Sequence, residues 1–267
     1  MQRALGPSPR HRPRGSASHA TVWLGALRPR ASSRSPRAGS HSTRIGDQLL
    51  AWRRPLTDYL GLLDWRRRVA ELFAELRRRP PTAETLRWFR VQKDELFRAH
   101  PQSPLPPDRR AAFGGLPYWP FDPSARIVAR FTAIEDEALR PFPTSTGEEV
   151  PFSRVGRLDF RYAGQDCRLD AYWIRGYAGG LFVPFRDATS GRETYGAGRY
   201  LLDTIKSADL GSDAAARAVI LDFNYAYNPS CAYDPRWTCP LAPPENWLPL
   251  AVRAGERSPP APGTAGH

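Results

Sequence analysis

A chain of 267 residues, 41% hydrophobic and 25% charged, is long enough to bury one sizeable core and has an ordinary globular make-up. It is neither collagen-like nor wholly disordered, and no run approaches the roughly 18 consecutive apolar residues of a membrane-spanning helix. The net charge of +12 is concentrated in residues 1–54, where 11 Arg and no Lys stand against the single acid Asp47, while the rest holds 28 basic and 26 acidic groups.

That distribution argues against nucleic acid as a partner, because a nucleic-acid-binding fold carries its basic excess on a folded face. Residues 1–54 are Arg/Pro/Ser-rich and are expected to be disordered, since such a segment cannot bury enough apolar surface. The whole chain has 37 Arg and only two Lys, Lys93 and Lys206, a ratio that codon bias in a GC-rich genome explains better than surface chemistry. The same bias would make translated upstream sequence look like residues 1–45, so a start placed too early is one reading of them. A targeting peptide and a nucleic-acid-binding arm are the others.

Structure is expected from Pro55. Leu62, Trp65, Val69, Leu72, Phe73 and Leu76 fall on one helical face, with Asp64 as the expected N-cap and Pro80-Pro81 as the stop. Thr82 then caps a second helix carrying Leu86, Phe89, Leu96 and Phe97, which Pro101 ends. Residues 102–123 carry six prolines and read as an ordered, extended loop. Strand patterns follow at Arg126–Ala133, Val155–Tyr162 and Cys167–Ile174, the last two joined by a turn at Ala163-Gly164. In the third of these, Leu169, Ala171 and Trp173 share one face, opposite Arg168, Asp170 and Tyr172. Gly179–Phe185 and Ala218–Phe223 read as buried strands, and Leu248–Ala254 is a last candidate. The pattern describes an α+β protein: a helical hairpin packed on a mainly antiparallel β-sheet rolled into a barrel or sandwich. One domain is expected over 55–257, with a disordered tail at 258–267.

Few residues can carry familiar chemistry. His100 is the one histidine between the tails, and its place before Pro101 suits a helix C-cap better than a catalytic base. Three cysteines and that histidine are too few for an ordinary zinc site, so no metal is expected. Cys167, Cys231 and Cys239 are odd in number and no export signal is evident, which points to reduced thiols in a cytoplasmic protein; a Cys231–Cys239 disulfide is the alternative.

Two segments hold most of the unusual polar chemistry. Residues 187–200 combine Glu193, Tyr195 and Arg199 with Gly196 and Gly198, while 222–246 combine Asp222, Asn224, Asn228, Tyr233 and Glu245 with several prolines. If they converge, Glu193 and Asp222 form a candidate acid/base pair, and Arg199, Tyr195, Asn224, Asn228, Tyr233 and Glu245 are candidate binding groups. Arg199 is expected to be buried, with Asp222 or Glu193 as its partner, unless it is held for an anionic ligand.

The runs Thr194–Leu201, Asp222-Phe223-Asn224, Ala226–Tyr233, Cys239-Pro240, Pro243–Asn246 and Ala254-Gly255-Glu256 carry a resemblance, as do Lys93-Asp94, Phe97, Ser103–Leu105, Phe113, Gly115-Leu116 and Tyr118. They resemble a bacterial family known as domain of unknown function 1684, over Arg90 to Glu256. The resemblance implies a shared domain; it implies no activity and no cofactor. Two functions therefore stand side by side: a small-molecule-binding or acid/base enzymatic site built from 187–200 and 222–246, and a protein-interaction module using the same aromatic loops.

Overall fold

The computed structural model describes residues 56–135, 138–176 and 179–259. The expectations for 1–54 and for most of the C-terminal tail lie outside the described residues. The described residues form one compact unit.

Two helices come first: α1, Leu56–Arg78, and α2, Ala83–Ala99. Thr82 caps α2 as expected, its hydroxyl accepting the Thr85 N–H at 3.2 Å. Asp64 does not cap α1. The helix begins two turns earlier, and Asp64 sits within it, beside Arg68 at 2.8 Å and His100 Nε2 at 3.2 Å. The start was hidden because Leu60 and Leu63 stand outside the apolar face and remain exposed. His100 closes α2: its N–H donates to the Leu96 carbonyl at 3.1 Å, and its Nδ1 accepts the Gln102 N–H at 3.0 Å. A single turn, α3, follows at Pro107–Arg110.

The rest is an antiparallel sheet of eight strands: β1 (Arg126–Ala133), β2 (Leu139–Pro143), β3 (Glu149–Tyr162), β4 (Gln165–Ile174), β5 (Gly180–Phe185), β6 (Arg199–Asp203), β7 (Ser212–Asp213) and β8 (Ala218–Asp222). Its order is β6-β5-β4-β3-β1-β8-β7, curled into a half-barrel, with β2 and β1 sharing one edge of the long β3 on either side of a bulge at Arg154–Gly156. Prolines at 141 and 143 fit β2's edge position, where a missing N–H costs little. β3 and β4 are joined at Ala163-Gly164, both at positive φ (48° and 77°), the turn whose twist suits a two-residue hairpin.

Leu158, Leu169, Ala171, Val183 and Leu221 fill the inside of the curl. Leu248, Leu250, Val252 and Ala254 join them, each buried. Their period of two is real, yet Leu248–Ala254 is no strand of the sheet. Backbone bonds tie Leu248 to Arg186 and Ala188 to Leu250, and beyond that the segment is held by side chains.

β4 departs from a simple in/out reading. Trp173 is 40% exposed although Leu169 and Ala171 on its face are buried, whereas Tyr172 on the opposite face is 2% exposed. The outer half of the sheet is covered on its second face as well, where Phe142, Phe152, Tyr172, Phe182 and Tyr200 form a separate aromatic cluster. The helical hairpin packs through Leu72, Phe73, Leu86 and Phe89 onto Ala208 and Tyr225, residues of the loops that follow β6 and β8.

Candidate functional site

The two polar segments do lie against each other. Tyr200 and Tyr227 exchange backbone hydrogen bonds at 2.8 and 3.1 Å, and the Tyr195 hydroxyl is 3.7 Å from Cys231 Sγ. Their contact, however, distributes the expected site residues among separate places.

Arg199 is 1% exposed, and its partner is Asp187 at 3.1 Å, not Asp222 or Glu193. The guanidinium also donates to the carbonyls of Val252, Ala254 and Glu256 at 2.9, 2.5 and 3.1 Å, and lies over the Phe185 ring. Both terminal nitrogens are committed to protein acceptors, so the side chain clamps the C-terminal segment into the curl. Asp222 and Glu193 are held by different arginines. Asp222 accepts from the Asn224 N–H and amide at 3.0 and 2.9 Å and faces Arg126 at 3.4 Å; burial pushes its pKa up. Asn224 in turn bonds both backbone groups of Asp122, fixing the entry to β1. Glu193 makes a two-pronged pair with Arg253 at 2.9 and 3.1 Å, and that guanidinium holds its carboxyl below the usual range.

Asn228 and Tyr233 belong to a second place, built around Glu256. This carboxylate is 1% exposed; it accepts the Asn228 N–H at 2.8 Å and the Tyr233 hydroxyl at 2.7 Å, and it pairs with Lys93 from α2. Gly255 makes the approach possible: at φ +79° a Cβ there would stand 2.5 Å from the Ala226 carbonyl. The Glu256 cluster joins hairpin, 226–233 loop and C-terminal segment. A slot beside Lys93, floored by Tyr227 and Asn228, holds about 80 Å³. That is room for a few waters, well short of the roughly 300–1,000 Å³ of a ligand pocket.

The third place has that size. A cleft of about 740 Å³ opens on the outer face of the sheet between β2, the β3–β4 pair and residues 241–245. Arg140 and Phe142 come from β2, Arg154 from β3, Asp170 and Tyr172 from β4, and Arg186 from the end of β5. Gly196-Ala197 and Leu241–Glu245 complete the rim, so both polar segments reach it, and Glu245 lines it as an exposed carboxylate. Asn246 makes this wall possible: its side-chain carbonyl accepts the Asp170 N–H at 2.8 Å while its amide donates to the carbonyls of Asp170 and Pro184 at 2.9 and 2.6 Å. It thus stands in for a neighbouring strand and lays the proline-rich 240–246 segment along the sheet.

The cleft's electrostatics are basic. Arg154 is engaged by Asp170, donating through Nη2 at 2.8 Å with Nε 2.7 Å away in ion contact. Arg186 stacks over Trp247 at 4.8 Å, and its Nε is buried with no hydrogen-bond partner among the described residues. Burial raises the Tyr172 pKa, with Asp170 and Glu245 adding to it, so the phenol stays protonated as a donor. Of the candidate residues named from the sequence only Glu245 lines this cleft; Arg140, Arg154, Asp170, Tyr172 and Arg186 were not among them. A signal existed in Asp170, a poor strand former within an otherwise strand-like run.

Among curated proteins the comparison finds no match. A likeness to a solved structure is clear: the solution NMR structure of an uncharacterised protein from Haloarcula marismortui is 38% identical, covers 65% of this chain and 92% of that one, and superposes with a TM-score of 0.50. The model of a family described as protein of unknown function, DUF1684, matches residues 111–257, more than half of the chain and all of the sheet, and the chain belongs to that family.

Proposed function

We propose that this protein binds a small anionic molecule, a carboxylate or phosphate ester with an apolar body, in the cleft on the outer face of the sheet. The observation that carries the reading is the lining of three guanidinium groups in a space of ligand size. Arginine's planar fork matches carboxylate and phosphate geometry, and the Arg186 Nε is a buried donor with a bond still to make. Phe142, Leu241 and the prolines at 141, 143 and 243 offer the apolar wall. Asp170 and Glu245 are the two carboxylates facing one space, in place of Glu193 and Asp222. With Asp170 tied to Arg154, the arrangement supports holding an anion better than proton transfer.

The test is a thermal-shift and calorimetric screen of mono- and dicarboxylates, phosphate monoesters and neutral analogues. An anion that binds should lose at least about tenfold in affinity in Arg186→Met, the size of one charged hydrogen bond. No response to any anion, or equal binding by the variant, would refute the proposal. The cytoplasmic placement is likewise our proposal; three free cysteines support it. Fractionation of cells expressing the full chain tests it.

A further inference from the structure

The loop that carries Asn228 and Tyr233 places two sulfurs together. Cys231 lies in the 3-10 turn Ser230–Ala232, and Cys239 returns eight residues later, so that the Cys231 N–H donates to Cys239 Sγ at 3.3 Å. The Cys239 thiol sits against Cys231 Sγ, and the Tyr195 hydroxyl lies 3.7 Å from the same sulfur. Cys231 is half-buried, whereas Cys239 is 6% exposed and Cys167 is 8% exposed on β4. One sulfur is reachable, with a thiol and a phenol against it, and the other lies buried behind it. That is the arrangement of an attacking and a resolving thiol.

We propose that Cys231 and Cys239 form a peroxide-sensitive dithiol, in which Cys231 is oxidised first and Cys239 closes a reversible disulfide. In the first step the Cys231 thiolate attacks one oxygen of hydrogen peroxide, the O–O bond breaks, and a sulfenic acid forms. The hydroxide released takes up the proton that the thiol lost. In the second step Cys239 Sγ, giving up its proton, attacks Cys231 Sγ; the S–O bond breaks and the oxygen leaves with that proton as water. Two thiols and one peroxide become one disulfide and two waters, with peroxide as the oxidant. The environment supports the first step, since the hydrogen bond from Cys239 lowers the Cys231 pKa to about 6. Cys167 has only burial around it, which pushes its pKa up and leaves it a control within the same chain. Closing the bond would pin the 231–239 loop, whose Cys239 N–H and C=O already bond Ser145.

The experiment treats the native full-length protein with stoichiometric hydrogen peroxide, quenches by alkylation in denaturant, and maps the peptides by mass spectrometry. The expected result is loss of the Cys231 and Cys239 thiols together as one linked peptide, at least about tenfold faster than loss of Cys167, and its return on adding dithiothreitol. In Cys239→Ser the sulfenic acid should persist on Cys231 and be trapped by dimedone, while Cys231→Ser should leave Cys239 unreacted. Oxidation of all three cysteines at one rate, or a Cys239→Ser protein that gives no dimedone adduct, would overturn the proposal.

Discussion

Replacing Arg199 by alanine tests the packing of the whole C-terminal half. Its guanidinium pairs with Asp187, whose side chain is fully buried, and satisfies three backbone carbonyls of the 252–256 segment. Deleting one partner of a buried pair leaves an uncompensated charge and costs about 3–5 kcal/mol. Asp187 would keep the N–H groups of Val252 and Thr189 and the Thr189 hydroxyl, which partly solvate the stranded charge and argue against a larger figure. For a domain of this size the loss corresponds to a fall in Tm of about 6–20 °C. Urea unfolding of wild type and Arg199→Ala, with the m-value as a check on two-state behaviour, measures it. The double variant Arg199→Ala/Asp187→Asn separates causes: removing the stranded charge should recover at least about 1 kcal/mol of the loss. A loss below about 1 kcal/mol, the size of a surface pair, would refute the clamp. So would a second substitution that simply adds to the first.

Three further outcomes follow from the geometry. Phe89, packed edge-on against Phe73 and Tyr225 at 5.3 and 5.0 Å, should cost about 3–5 kcal/mol on replacement by alanine; a loss under about 1 kcal/mol in the same urea assay would mean the hairpin barely contributes to the fold. Burial raises the Asp94 pKa, so its contribution favours the fold while protonated and is lost as pH climbs from the ordinary carboxylate value through the raised one. Asp94→Asn, which can still accept the Leu116 N–H, should therefore be more stable than wild type at pH 7 and no more stable at pH 3 in parallel thermal melts. Finally, iodoacetamide should alkylate Cys231 with a pH profile centred near 6, and a midpoint at the ordinary thiol value would show that Cys239 does not stabilise its thiolate.

Local pattern determined the α+β class, the second helix with its Thr82 cap, most strand cores and the Ala163-Gly164 hairpin, because each depends on side-chain periodicity or turn chemistry among near neighbours. The same local reading found the segments that meet at Tyr200 and Tyr227. It could not assign partners across long separations. Arg199 turned to Asp187, twelve residues back in its own segment, because β6 leads that guanidinium into the end of the curl, where Asp187 meets carbonyls of 252–256 from more than fifty residues away. Lys93, Asp94 and Glu256 stood out in the sequence only within the family resemblance, since nothing at their own positions shows that residues 163 apart will pair. The cleft is the clearest case. Arg140 and Arg154 sit on β2 and β3 and Arg186 just past the end of β5 in an arginine-rich chain, and they look like any exposed charge until the curl of the sheet and the Asn246 tether turn them toward one space. Elements are local physics; sites are assembled by tertiary contacts, and only the fold chooses which charges face each other.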